Sequence, residues 1–268
     1  MSKDKKFQDF LDEVQYTLNG VKRYEWIFGE TWLSTGGKQT TDVVLSRIQI
    51  RPGSRVLDMG SGIGGHSFHL AEKYGCKVLG IDLSRNMVAV AEDHLNRRPH
   101  LQKLVEFELK DATKLSDLDE NSFDVIYSRD TLLHIEDKVN LFKNFYKWLK
   151  PGGQVIFTDY GRGDKSDYAD EFKAYVAQRQ YHLLTVQGYQ QIMQVNGFED
   201  IQSEDWTLAF KDALERELNQ LTTRKEEFIS LFSQKDYDDL SSGWTAKLKR
   251  VRDGDQAWIF GLATKAVK

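Results

Sequence analysis

From Arg55 onward, short apolar runs alternate with longer stretches in which apolar residues recur every three or four positions. The short runs, at Arg55–Ser61, Lys77–Leu83, Val105–Asp111, Phe123–Arg129 and Gln154–Tyr160, predict strands, and the amphipathic stretches at Gly64–Tyr74, Arg85–Asn96 and Asp137–Leu149 predict helices between them. Strands alternating with crossover helices make an α/β protein with a doubly wound parallel sheet. Lys150-Pro151-Gly152-Gly153 supplies a helix stop and a tight turn before the fifth strand. Two further strand patterns, Phe198–Trp206 and Ala257–Thr264, bring the expected total to seven, with a helix near Val186–Val195 and one long charged helix around Phe210–Phe232. Upstream, Phe7–Gly37 reads as short helices rich in aromatic residues. Downstream of the fifth strand, Gly161–Thr185 is a polar and aromatic insertion, placed where insertions cover a ligand crevice.

The chain has 268 residues, 40% of them apolar, enough for one sizeable core. The expected organisation is a single domain: a helical lid over 1–50, a nucleotide-binding core over 51–160, and the substrate-binding insertion with the rest of the sheet over 161–268. Lys and Arg, 37 together, nearly balance the 41 Asp and Glu, so no overall field draws the chain to nucleic acid or an anionic membrane. A small molecule is the expected partner. Cys76 is the only cysteine, which leaves no intramolecular disulfide and fits a reducing compartment. The amino terminus lacks the apolar run of a signal peptide, and no stretch has the roughly 18 apolar residues of a membrane span. A cytosolic, monomeric protein is expected.

Val56 to Gly65 reads as a strand, a glycine-rich turn and the start of a helix, with Gly60, Ser61 and Gly62 in the turn. Backbone without Cβ atoms lets a ligand come close there. Twenty residues past Gly62, Asp82 ends the second strand, where a carboxylate can accept hydrogen bonds from both hydroxyls of a ribose. Asp111 ends the third strand in the same way and can bind an adenine amino group. The spacing Gly60-x-Gly62-x-x-Gly65 also satisfies the fingerprint of NAD enzymes. Asp58 before the glycines, the acid after strand three and the Pro-Gly-Gly turn together resemble the class I methyltransferases instead. That likeness implies a Rossmann-like seven-stranded sheet binding S-adenosylmethionine and releasing S-adenosylhomocysteine.

Three further segments are more specific. Tyr127-Ser128-Arg129-Asp130-Thr131-Leu132-Leu133-His134-Ile135 follows strand four, Tyr175-Val176-Ala177-Gln178-Arg179-Gln180-Tyr181 lies in the insertion, and Gly243-Trp244-Thr245-Ala246-Lys247 lies near the end. With these, the chain resembles the phosphoethanolamine N-methyltransferases of plants, nematodes and malaria parasites from Gln15 to Lys265. The resemblance implies that Gln15, Tyr24, Ser34 and Arg129 join the glycine turn, Asp82 with Leu83, and Asp111 with Ala112 around S-adenosylmethionine. It places Tyr160, Tyr175, Arg179, Tyr181 and Lys247 on the substrate phosphate, and makes Tyr16 and His134 the catalytic pair.

These roles agree with the chemistry. A phosphate dianion in a closed pocket calls for a guanidinium fork, an ammonium and hydroxyl donors. A primary amine has a pKa of about 10, so near neutrality it carries a proton that a base must remove before it can accept a methyl group. His134 is the candidate base, Tyr16 the residue that orients it and latches the lid, and Asp130 a candidate partner for the ammonium. His66 and His69, three apart without a third candidate ligand, read as structural, and no metal is expected. Trp148, Trp206, Trp244 and Trp258 read as core. Gly161 and Gly163 suggest a flexible loop after Tyr160. The alternatives are a methyltransferase of another small amine such as glycine or sarcosine, a dehydrogenase, and a non-catalytic binding module.

Overall fold

The computed structural model describes residues 3–115 and 118–267. Their strands are β1 (Arg55–Met59), β2 (Lys77–Asp82), β3 (Val105–Leu109), β4 (Phe123–Arg129), β5 (Leu149–Arg162), β6 (Phe198–Asp205) and β7 (Gln256–Lys265). They form one sheet in the order β3-β2-β1-β4-β5-β7-β6. β1 to β5 pair in parallel, whereas β7 runs antiparallel to both β5 and β6. The order reverses beside β1, so the crevice beyond the carboxyl ends of β1 and β4 is the expected ligand position.

The crossover helices are α4 (Gly65–Tyr74), α5 (Arg85–Asn96) and α6 (Lys138–Trp148). Each begins where the sequence supplies a start signal. Ser84 and Asp137 accept the backbone N–H of Met87 and Asn140 as N-caps, while Gly64 and Gly75 bracket α4 in the left-handed region. Alternate residues of each strand feed opposite faces of the sheet. Leu57, Ile126 and Phe157 pack with Phe142 and Trp148 of α6 on one face, and Val56, Val78, Val125 and Ile156 pack with Phe68 and Leu70 of α4 on the other. Each fully buried side chain of this size contributes about 1.5–3 kcal/mol.

Before the sheet come α1 (Lys3–Phe10), a π-helical turn (Leu11–Gln15), α2 (Leu18–Phe28) and α3 (Gly37–Leu45). After β5 come α7 (Asp170–Arg179) and α8 (Val186–Val195). Between β6 and β7 the expected single helix is instead three: α9 (Thr207–Thr223), α10 (Lys225–Leu231) and α11 (Gln234–Arg252). Arg224 leaves helical geometry, with φ −107° and ψ 28°, and the turn lets Phe228 pack edge-on against Trp26 at 5.0 Å. A third core results, in which Ile27 of α2 meets Phe210, Leu214, Trp244, Leu248 and Trp258. The N-terminal aromatic residues therefore pack on the C-terminal helices.

Two local expectations are corrected. The Lys150–Gly153 turn is absorbed into β5 as an irregularity, where pairing steps from Phe123 with Leu149 to Val125 with Gln154. Gly161 and Gly163 are not a slack loop. A Cβ on Gly161 would sit 2.3 Å from Ile259 Cδ1, and one on Gly163 2.0 Å from the Gly254 carbonyl oxygen, so both are glycine because neighbouring chain packs directly on them.

Candidate active site

Beyond the carboxyl ends of β1 to β5 lies a cavity of about 1430 Å³, walled also by α2, α7 and α11. At one end is the glycine turn. Gly60 and Ser61 donate their N–H groups to the Ile81 carbonyl, and Gly62 donates to Asp82 Oδ2 at 2.9 Å. Positive φ at Gly60, Gly62 and Gly64 folds the turn back on itself. Asp82 Oδ1 accepts from Ser84 N–H at 2.9 Å, which aims the carboxyl into the cavity, and burial raises its pKa to about 6. Leu83, Asp111 and Ala112 line the same end. Two bonds from Thr113 hold the Asp111 carboxylate below its usual range despite partial burial. Asp58 lies outside the cavity. Fully buried, it accepts from Ser67 Oγ at 2.6 Å and so locks β1 to α4, and burial lifts its pKa to about 7.

Arg129 ties the N-terminal segment to β5. Its guanidinium, 3% exposed, donates to Thr158 Oγ1 at 2.6 Å, Thr41 Oγ1 at 3.0 Å and the Thr35 carbonyl at 2.9 Å. Ser34 Oγ bonds His66 Nε2 at 3.0 Å, and His66 Nδ1 faces the hydroxyls of Thr41 and Tyr127 at 3.2 and 3.3 Å. His69 pairs with Asp42 at 2.9 Å. Both histidines are thus occupied by the scaffold, and among the described residues no group of three metal-ligating side chains gathers. Tyr24 and Gln15 complete this wall.

His134 sits on a short 3-10 turn (Leu132–His134) just after β4. Its Nε2 lies 3.2 Å from the Tyr16 hydroxyl, and Gln15 Nε2 donates to that hydroxyl at 3.0 Å and approaches Tyr181 Oη at 3.4 Å. The imidazole also meets the Tyr181 ring edge-on at 5.2 Å. Burial, then the charges of Lys138 and Arg179, push the His134 pKa down to about 3, so the ring is neutral. Burial holds the Tyr16 phenol well above its ordinary value, so it stays protonated. Asp130 accepts from Trp258 Nε1 at 2.7 Å and Thr158 Oγ1 at 3.0 Å through Oδ1, while its buried Oδ2 has no protein partner.

The opposite end is cationic and phenolic. Lys247 Nζ approaches the Tyr160 hydroxyl at 3.4 Å, and Thr35 Oγ1 bonds that hydroxyl at 3.0 Å. Burial lowers the Lys247 pKa to about 8, opposed by Glu217. Tyr175, Arg179 and Tyr181 line the same end, brought there by α7 and the turn after it. Every sequence-predicted site residue reaches this one cavity wall.

Four contributors escaped the sequence reading. Arg250 lines the cavity with its guanidinium 3.8 Å above the Tyr175 ring. It lies three residues past Lys247, a spacing that shares one helix face, but α11 itself was not expected. Glu217 accepts from Gly36 N–H at 2.7 Å and Trp244 Nε1 at 3.0 Å, joining the lid to α9 and α11. Trp244 and Trp258, read as core, are buried yet belong to the site: the first lines the cavity and the second bonds Asp130.

The sheet order, the glycine turn after β1 and acids after β2 and β3 define a class I methyltransferase, and residues 57–157 match a family described as a methyltransferase domain. The chain belongs to the phosphoethanolamine N-methyltransferase family. It is 43% identical over 258 residues to the phosphoethanolamine N-methyltransferase of Plasmodium falciparum, covering 96% of this chain and 95% of that protein. It is 49% identical over 264 residues to phosphoethanolamine N-methyltransferase 1 of Triticum aestivum, covering 98% of this chain but 52% of the relative. The chain thus spans about half the length of the curated plant relatives it matches. The structure of Haemonchus contortus phosphoethanolamine N-methyltransferase 2 with phosphomonomethylethanolamine and S-adenosylhomocysteine superposes with a TM-score of 0.94 at 41% identity, covering 97% of this chain and 60% of that one. Membership of this family sets the dehydrogenase reading aside.

Proposed function

We propose that this chain methylates the amine of phosphoethanolamine, or of its mono- and dimethyl forms, toward phosphocholine, using S-adenosylmethionine and leaving S-adenosylhomocysteine. The observation that carries the reading is the single cavity in which a nucleotide-type end and a cationic, phenolic end meet at the Tyr16–His134 pair. Buried polar atoms of cavity-lining residues that lack protein partners, Gln15 Oε1, Ser61 Oγ and Asp130 Oδ2, fit ligands that supply the missing bonds. Asp82 suits a ribose, Asp111 and Ala112 an adenine, and Tyr24, Ser34 and Arg129 hold the lid over them. S-adenosylmethionine supplies a methyl group on a cationic sulfur, open to in-line attack by a neutral amine.

The chain's own task is to make that amine neutral and hold it still. Arg179, Lys247 and the hydroxyls of Tyr160, Tyr175 and Tyr181 bind the phosphate, and Asp130 receives the ammonium. The ammonium proton passes to the Tyr16 oxygen as the Tyr16 proton passes to His134 Nε2, so no tyrosinate accumulates. A bound dianion opposes the fields of Arg179 and Lys138, making the imidazole a stronger base once substrate is present. Residues 1–50 act as the lid that excludes water. No helix among the described residues is long and apolar enough to cross a membrane.

Methyl transfer from labelled S-adenosylmethionine to the three phosphorylated amines, each beside its unphosphorylated counterpart and beside glycine and sarcosine, tests the reading. Turnover confined to phosphorylated amines is expected. Turnover of glycine or sarcosine, or of none, would overturn the substrate assignment.

A further inference from the structure

One buried charge stands behind the cavity wall without lining it. Lys138 opens α6 with 3% of its surface exposed, a position where an unbonded ammonium is strongly disfavoured. Its Nζ donates to the Ile135 carbonyl at 2.6 Å and the His182 carbonyl at 2.5 Å. Asp159 on β5, also buried, accepts the Leu133 N–H at 3.1 Å through Oδ1 and the Tyr189 hydroxyl at 2.5 Å through Oδ2. The backbone N–H of His182 donates to the Leu133 carbonyl at 2.7 Å.

These bonds bracket one residue. Leu133 is held by Asp159 and His182, Ile135 is held by Lys138, and between them stands His134. The second carbonyl on Lys138 belongs to His182, the residue after Tyr181. We propose that Lys138 is a positioning residue for methylation: its ammonium, bonded to the Ile135 and His182 carbonyls, fixes the turn that carries His134 and ties it to the segment that carries Tyr181. The base and a phosphate-binding tyrosine are thereby set at one spacing. A Met or Leu would fill the same volume and pack on the same core without the desolvation of an ammonium, but could not bridge two carbonyls from separate segments. The ammonium also acts on the imidazole through space, where with Arg179 and His182 it favours the neutral ring.

The inference rests on His134 as the base of the proposed reaction, and the two are separable. K138M and K138R are compared with the natural chain for phosphoethanolamine turnover, and for S-adenosylhomocysteine affinity by thermal shift. In K138M kcat is expected to fall about tenfold to a hundredfold, the loss that follows a small misplacement of a catalytic group. S-adenosylhomocysteine affinity should hold, the KM for phosphoethanolamine should rise less than kcat falls, and K138R, which keeps charge and donors, should recover much of the rate. A folded K138M with kcat near the natural value, or one that loses S-adenosylhomocysteine affinity in step with kcat, would overturn the inference. If K138M lacks a cooperative melt, K138Q, which keeps two N–H donors, is judged by the same readouts. Full activity in H134Q would sink the base assignment whatever Lys138 does, whereas a slow H134Q beside a fast K138M would sink only this inference.

Discussion

His134, the proposed base, shows how strongly its surroundings set the protonation of an imidazole. Buried beside Tyr16 and Tyr181 and near the charges of Lys138 and Arg179, the imidazole is neutral, and Tyr16, kept protonated by burial, presents its hydroxyl to Nε2. Replacing His134 by Gln is expected to lower kcat about 10²- to 10⁴-fold, as loss of a general base does, while S-adenosylhomocysteine still binds. Tyr16→Phe, which removes the relay oxygen but not the ring, should lower kcat about tenfold to a hundredfold, matching the loss of one buried hydrogen bond. Steady-state rates beside thermal shifts with S-adenosylhomocysteine separate chemistry from binding. Asp82 makes a different demand. Burial raises its pKa to about 6, so it loses its negative charge as pH falls through that value and becomes a weaker acceptor for the ribose hydroxyls it is proposed to hold. S-adenosylhomocysteine affinity should therefore weaken from pH 7 to 5, as calorimetric titration would read directly. His134 was found in the sequence because YSRDxxLHI is a local motif. Arg250 was not, because its role depends on Tyr175, distant in sequence, lying beneath it.

Among the elements, the lid is held by long-range bonds rather than by its own helices. The loop from α2 to α3 reaches α9 through Glu217, β4 through Arg129 and α4 through His66. Glu217→Gln places an amide N–H where the carboxylate now accepts from both Gly36 and Trp244. One buried donor then goes unpaired at about 1–3 kcal/mol. In a chain of this size the melting temperature is expected to drop by roughly 2–10 °C. The KM for phosphoethanolamine should also rise, because Trp244 and Lys247 share α11. Differential scanning calorimetry and initial rates test the two effects, and an unchanged melt would show that Glu217 is not the joint. The parallel core was legible to within a few residues because strand and helix periods differ and each helix start carries its cap. The helices between β6 and β7 were not, because the break at Arg224 lies in a continuous charged amphipathic pattern and is set by Phe228 turning in toward Trp26.

At the scale of the whole molecule, buried carboxyls make stability depend on pH in an unusual direction. Asp58 titrates near 7 and Asp82 near 6 in the fold, against about 4 in an unfolded chain. Between those values the folded state holds protons that the unfolded state has released, so stability is present at low pH and is lost as pH rises toward 7. His134 and His66, held neutral by burial, act oppositely but only below about 6.5, where an unfolded histidine gains charge. The melting temperature of the ligand-free protein is therefore expected to rise as pH is lowered from 8 to 6.5, and D58N should lessen that slope without abolishing it, since buried Asp159 and Glu217 are also raised to about 7 while Lys138 and Lys247, lowered to about 8, act against them. A melting temperature that climbs with pH over the same interval would contradict the assignment. The residues themselves determined the doubly wound sheet, the glycine turn with its acids, and the motifs that carry the proposed base and phosphate ligands, because these depend on near neighbours and on regular periods. Tertiary structure alone decided that aromatic residues near the start close onto helices near the end, that Gly161 and Gly163 admit close packing rather than motion, and that a buried lysine bonds the turn that carries His134. Those outcomes depend on which surfaces meet when segments from tens to more than two hundred residues apart pack together, and no local pattern in the chain encodes that meeting.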